Sequence, residues 1–212
     1  MTVRIAQDLG LDKIINFSEQ LGIYKNPSEL LSISLGSTET TLLKLTSAYC
    51  SFVNGGKSIS PIMIDRIQDS EGNTIFNNEK RKCLNCKQIS FLSNEYPKIK
   101  DNFPQVFSAE TAYQMTSILE GAVVRGTGKK LKDLKLDIAG KTGTTNGNTD
   151  TWFVGFTSKL VIGVYVGSDN PKPLGRYETG AKTALPIFKQ FIKKAIKKEE
   201  AKPFKVPENI LM

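Results

Sequence analysis

The run Lys141-Thr142-Gly143-Thr144, set in DIAGKTGTTNGNTDTWFVGFTSKLVIGVYVG (137–167), puts a cation, two hydroxyls and a glycine within four residues. Two chemistries use such a group. A phosphate loop needs a glycine five positions before Gly140 and a helix straight after the lysine, so that amides and the helix dipole meet the phosphates. That position is Lys135, and GTTNGNTDTW is a poor helix start. In a second candidate, Gly126-Thr127-Gly128-Lys129-Lys130, a lysine stands where a magnesium-binding hydroxyl belongs. The other chemistry is that of an extended edge strand. Side-chain alternation then places Thr142 and Thr144 on one face, and Gly143 between them lets a ligand approach the backbone. A surface strand whose lysine is merely solvated is the plain alternative.

Composition removes much else. The 212 residues contain no His, which excludes the Ser-His-Asp triad, the Cys-His pair and most mixed His/Cys zinc sites. A general base must be Lys, a carboxylate, Tyr or Cys. Cys50 falls in an apolar helical run and reads as a small buried hydrophobe. Cys83 and Cys86 lie in a polar loop with no second pair to complete four ligands. A local disulfide or plain loop thiols are therefore expected there, with no metal site and no cofactor. The net charge of +8 sits largely in Lys182 to Lys205, which holds eight Lys against Glu199 and Glu200. Leu185, Phe188, Ile192 and Ala195/Ile196 in the same segment recur at helical spacing, so the lysines read as the solvated face of a core-docked helix and no nucleic-acid partner is expected. No apolar run reaches the roughly 20 residues of a membrane span, and no signal peptide opens the chain.

The elements that must position the Lys-Thr-Gly-Thr run follow from periodicity. Val3, Ile5 and Leu9, then Ile14, Ile15, Phe17 and Leu21, predict two short helices broken at Gly10 and Gly22. Leu42, Leu45, Ala48, Tyr49 and Phe52 predict a helix capped by Ser37 or Thr38 and ended by Asn54-Gly55-Gly56. A strand, a turn at Asp69 to Asn73 and a shorter returning strand come next, then a long loop or small insertion at 77–106. Ser108 caps a helix with the stripe Ala112, Met115, Ile118, Leu119 and Val123, and a Gly/Lys loop leads to strands near 138–145, 150–157 and 160–167 and the closing basic helix. Strands in series followed by a helix predict an α+β fold, an antiparallel sheet flanked by helices. An alternating parallel α/β arrangement is the alternative.

With MTVRIAQDLGLDKIINFSEQLGIY, LSISLGSTETTLLKLTSAYCSFVNGGKSISPIMIDRIQDSEGNTIF, AYQMTSILEGAVVRGTGKKL and AGKTGTTNGNTDTWFVGFTSKLVIGVYVGSDNPKPLG in order, nearly the whole chain outside 77–106 and the last residues resembles the transpeptidase domain of class A penicillin-binding proteins. The resemblance implies the serine β-lactamase and penicillin-binding transpeptidase fold. Its motifs run S-x-x-K, S-x-N, then K-T-G. It implies that the Thr142 and Thr144 hydroxyls hold the terminal carboxylate of a donor peptide, that Gly143 admits substrate to the backbone, and that the Thr144 amide is one of two oxyanion donors. It implies that Lys141 polarises the serine of the second motif and helps to move protons, the work His does elsewhere.

No Ser in the chain is followed three residues later by Lys, and Ser168-Asp169-Asn170 comes about 25 residues after the K-T-G run, the wrong order for the second motif. It reads as a strand-end turn. The resemblance therefore implies the C-terminal part of a domain (1–205, with 206–212 as a tail), a serine-type D-Ala-D-Ala transpeptidase by family but inactive alone. The implied partners are peptidoglycan stem peptides, β-lactams and the missing N-terminal part of the domain. The implied place is the periplasmic face of a bacterial inner membrane, with any membrane contact made through that absent region. A β-lactamase or carboxypeptidase relative, or a non-catalytic fragment that binds a muropeptide or partner, are the alternatives.

Overall fold

The structure is a computed structural model and describes residues 1–79, 81–84, 86, 96–197 and 201–210. The chain divides into a unit of residues 1–59 and 105–212 and a second unit of residues 60–104.

In the first unit, α1 (Thr2–Leu9) and α2 (Leu11–Gln20) are separated at Gly10, whose φ of 90° breaks the helical path. A 3-10 turn (Leu31–Leu35) leads to α3 (Leu42–Val53). The cap of α3 is Thr41, whose side chain accepts the Lys44 N–H at 3.2 Å, and neither Ser37 nor Thr38 caps it. Ser37 instead donates its hydroxyl to Ser32 Oγ at 2.9 Å; a local side-chain bond removes it from competition for the helix end. Gly56 follows α3 with a φ of 84°, and a Cβ there would lie 1.9 Å from the Phe107 carbonyl oxygen, so only glycine fits. Ser108 caps α4 (Ala109–Val124) by accepting the Thr111 N–H. The expected Gly/Lys loop after it contains a 3-10 helix at Lys129–Leu134.

The second unit holds β1 (Arg66–Gln68) and β2 (Thr74–Asn77), paired antiparallel across a turn in which the Asp69 carboxylate accepts the N–H groups of Glu71 and Asn73. It also holds β3 (Lys82–Cys83) and β4 (Ile99–Lys100), likewise antiparallel. A disulfide joins Cys83 to Cys86, whose Cα atoms lie 5.7 Å apart. Residues 85 and 87–95, between β3 and β4, lie outside the described residues.

The main sheet is three-stranded and antiparallel: β5 (Ala139–Thr144), β6 (Thr151–Phe156) and β7 (Val161–Val166), in that order. Its register pairs Lys141 with Val154, Thr142 with Phe153 and Thr144 with Thr151. Alternation sorts the two faces. Phe153, Ile162, Val164 and Val166 face the closing helix α5 (Ala184–Ala195), where Ala184, Leu185, Phe188 and Ile192 are fully buried. The Phe153 and Phe188 rings meet edge to face at 4.7 Å. Ala139, Phe156 and Val161 pack on the other face with Leu119 of α4 and Tyr49 and Phe52 of α3. The result is an antiparallel sheet between helices. Among the described residues no helix is long and apolar enough to cross a membrane.

Three expectations follow. Burial against Phe52 and Phe156 pushes the Tyr49 hydroxyl from its ordinary value of 10.0 up to about 12. A group raised on folding stabilises the fold fully below its unfolded value and loses that contribution as pH climbs to the folded one. Stability should therefore fall by roughly 2 to 3 kcal/mol between about pH 10 and 12 from this residue. Denaturant titration should show a shallower alkaline loss for Tyr49→Phe; equal losses would refute the assignment. Thiol titration of the unfolded chain should find one thiol, Cys50, before reduction and three after it, and metal analysis should find far less than one zinc per chain, since Cys83 and Cys86 leave a tetrahedral site half empty.

Candidate active site

Lys141, Thr142, Gly143 and Thr144 all lie on β5, which among the described residues pairs only with β6 and so forms the sheet edge. Thr145, just past the strand, donates its N–H to the Asp150 carbonyl at 3.0 Å. In an antiparallel ladder the residues that bond to the neighbour alternate with those that point away. The N–H and C=O groups of Thr142 and Thr144 are therefore aimed out of the sheet edge.

The same alternation divides the side chains. Lys141 and Gly143 lie on the face shared with Trp152 and Val154, Thr142 and Thr144 on the face shared with Phe153. Lys141 is exposed, and its ammonium curls to the rim of the sheet, donating to the Thr142 carbonyl oxygen at 2.8 Å. The strand thus brings a cation, two outward amides and two hydroxyls to one edge within four residues.

The two hydroxyls are held from behind by segments that periodicity does not single out. Thr142 Oγ1 lies 2.8 Å from Thr127 Oγ1, in the loop after α4. Thr144 Oγ1 accepts the Gly180 N–H at 3.1 Å, from the turn before α5. A Cβ on Gly180 would lie 2.5 Å from the Trp152 carbonyl oxygen and 2.6 Å from that of Gly143, so the turn lies against β5 and β6 only because the residue is glycine. Nearby, the Thr151 and Thr183 hydroxyls pair at 2.6 Å, which ties the start of α5 to β6. A glycine directly before an amphipathic helix, and a threonine between two glycines after α4, were the available signals. Neither is specific alone.

The loop that follows β5 is braced by its own side chains. Thr145 Oγ1 accepts the Asp150 N–H at 2.9 Å and pairs with Thr149 Oγ1 at 2.8 Å, and Thr149 donates to one Asp150 carboxylate oxygen at 3.1 Å. Tyr165 donates to the other at 2.6 Å. The bond to Asp150 holds the Tyr165 hydroxyl above its ordinary pKa. Ser168-Asp169-Asn170 follows the end of β7. Among the described residues there is no cluster of three or more His, Cys, Asp or Glu able to hold a metal.

Comparison with known proteins agrees with this architecture. Residues 1–193 match the family model of the penicillin-binding protein transpeptidase domain. Penicillin-binding protein 1A of Rickettsia felis is 44% identical over 99% of this chain, and that of Neisseria flavescens 35% identical over 100% of it. The chain spans 27% and 25% of the length of these two relatives. The crystal structure of penicillin-binding protein 1A from Haemophilus influenzae superposes with a TM-score of 0.81 at 33% identity, covering 99% of this chain and 34% of that one. The chain belongs to the penicillin-binding protein transpeptidase family.

Proposed function

We propose that this chain forms the K-T-G half of a peptidoglycan D-Ala-D-Ala transpeptidase site. The observation that carries the proposal is the edge strand β5, which puts the Lys141 ammonium and the outward amide of Thr144 along one rim. In such a reaction a serine hydroxyl attacks the carbonyl between two D-alanines. Its proton goes to a neighbouring base, the C–N bond breaks, and D-alanine leaves with a proton. An amine from a second strand then displaces the serine from the acyl ester. The Thr144 amide is suited to receive the negative charge that develops on the carbonyl oxygen, because it is fixed in place before the reaction starts. Thr142 and Thr144 would donate to the substrate carboxylate, and Gly143 would let substrate approach the backbone between them. Lys141 would act on the second-motif serine and share in proton transfer. β-Lactams would acylate the same serine.

These 212 residues include no Ser with Lys three positions on. The chain by itself should therefore form no acyl-enzyme, and the chemistry needs a half-domain that supplies the first two motifs. On this reading the reaction takes place at the periplasmic face of a bacterial inner membrane.

Labelling with a fluorescent penicillin tests this with three samples: the chain, the chain paired with an upstream half-domain bearing S-x-x-K and S-x-N, and that pair carrying Lys141→Ala. Only the unmodified pair should label rapidly, with the substitution slowing it by at least about 100-fold. Stoichiometric labelling of the chain alone would refute the missing nucleophile, and full labelling of the Lys141→Ala pair would refute the role of Lys141. Gly180→Ala should cost about 1 to 3 kcal/mol of stability through overpacking against two carbonyls. It should also slow labelling in the pair by displacing the turn that holds Thr144; an unchanged unfolding midpoint would count against that contact.

A further inference from the structure

Thr127 lies outside the K-T-G run, yet its hydroxyl is 2.8 Å from that of Thr142. The loop that carries it has little freedom. A Cβ on Gly126 would lie 2.8 Å from the Ala122 carbonyl oxygen, and one on Gly128 would lie 3.0 Å from the Cα of Val123. The Gly128 N–H donates to the Ala122 carbonyl at 3.0 Å. Both glycines are thus pressed onto the last turn of α4, whose Val123 is buried in the core beneath α5. Thr127 stands between two fixed points, and its side chain reaches β5 from an anchored loop.

Resting on the transpeptidase reading, we infer that Thr127 is a positioning residue that sets the direction of the Thr142 hydroxyl for a carboxylate-bearing ligand. The argument is one of proton order. Each threonine hydroxyl has one proton to donate and lone pairs to accept with, whereas an ionised carboxylate can only accept. For Thr142 to hold a carboxylate it must spend its single proton on that ligand. The bond between the two threonines must then run from Thr127 to Thr142, so Thr142 accepts from behind and donates in front. A relay in this sense aims the front proton and strengthens it, because hydrogen bonds in a chain polarise one another. The same logic holds at Thr144, whose oxygen accepts the Gly180 N–H and keeps its proton for the ligand. Thr127 touches neither ligand nor reacting atoms, and it works only through Thr142.

The test uses the chain paired with the upstream half-domain and two probes, a penicillin with a free carboxylate and the methyl ester of the same compound. Second-order acylation rates are measured for the parent, Thr127→Val and Thr127→Ser, with unfolding midpoints for all three. Thr127→Val keeps the shape but has no proton to give. It should slow acylation by the free acid about tenfold, the size expected for one charge-assisted hydrogen bond. Acylation by the ester should change by less than about twofold, because the carboxylate is gone. Thr127→Ser should recover most of the lost rate. The inference is overturned if Thr127→Val slows acid and ester equally, which marks a purely structural effect, or if it slows neither. It is also overturned if Ser fails to rescue while the midpoint matches the parent. If the parent pair itself takes up no penicillin, the transpeptidase reading fails and this inference falls with it. Rapid labelling of the parent together with an unchanged Thr127→Val variant removes Thr127 alone.

Discussion

A strand at the edge of a sheet leaves one row of amides and carbonyls without a neighbouring strand, and such a row stays straight only if something else holds it. In this chain that strand is β5. Its inner side is zipped to β6 over six residue pairs, from Ala139–Phe156 to Thr144–Thr151. Its far end is closed by the Thr145, Thr149 and Asp150 side chains. Its α5 face is held at Thr142 by Thr127 and at Thr144 by Gly180. Among the described residues no strand pairs with the outer side, toward which the Thr142 and Thr144 amides point and at whose rim the Lys141 ammonium lies. One device, side-chain and backbone alternation, delivers three kinds of functional group in three directions from four residues.

Holding the strand needs a rigid support on both faces, and the two aromatic clusters provide it. Phe153 against Phe188 fixes α5 beneath the sheet, while Phe156 with Tyr49, Phe52 and Phe204 fixes α3, α4 and the 201–210 segment above it. Each pair adds to area burial through edge-on or stacked ring contacts, of order 1 kcal/mol apiece. The lysines of α5 play no part in this packing. Lys189 turns back to Asp133 and the Lys130 carbonyl, and Lys193 and Lys194 are exposed, so the charge sits on the outer face of a helix whose inner face is core.

Much of the fold was legible because it is periodic. Period-3.6 stripes located α3, α4 and α5, with the start of α3 set three to four residues too early, and runs ending at Gly and Thr-Ser-Lys turns located β5, β6 and β7. The Lys-Thr-Gly-Thr run was legible for a different reason, since its four residue types are unusual together and sit in a strand-like context. The cap of α3 was misassigned because four hydroxyl residues, Ser37, Thr38, Thr40 and Thr41, compete within five positions; Ser37 bonds to Ser32, Thr40 donates to the Ile23 carbonyl, and Thr41 takes the helix end. Thr127 and Gly180 were not legible. They meet β5 from 15 and 36 residues away in sequence, in loops where no period exists, and their roles arise only from the approach of backbones that glycine permits.

That last point explains why so many contacts around the strand are glycine contacts. Gly126, Gly128, Gly140, Gly155 and Gly180 each sit where a Cβ would come within 3.0 Å of a neighbouring atom. For Gly140 those atoms include the Gly155 Cα, directly across the ladder. A side chain at Gly126 or Gly128 would lift the Thr127 loop off α4, one at Gly140 would part β5 from β6, one at Gly180 would move its turn off β5, and one at Gly155 would press on the Phe153 and Phe188 rings. A hydrogen bond of 2.8 Å between two hydroxyls tolerates little of that movement, because its strength falls steeply once the pair is misaligned. The backbone therefore comes close at the glycines so that the threonines can meet, and the placement of the groups at the open edge is set by residues that carry no functional group of their own.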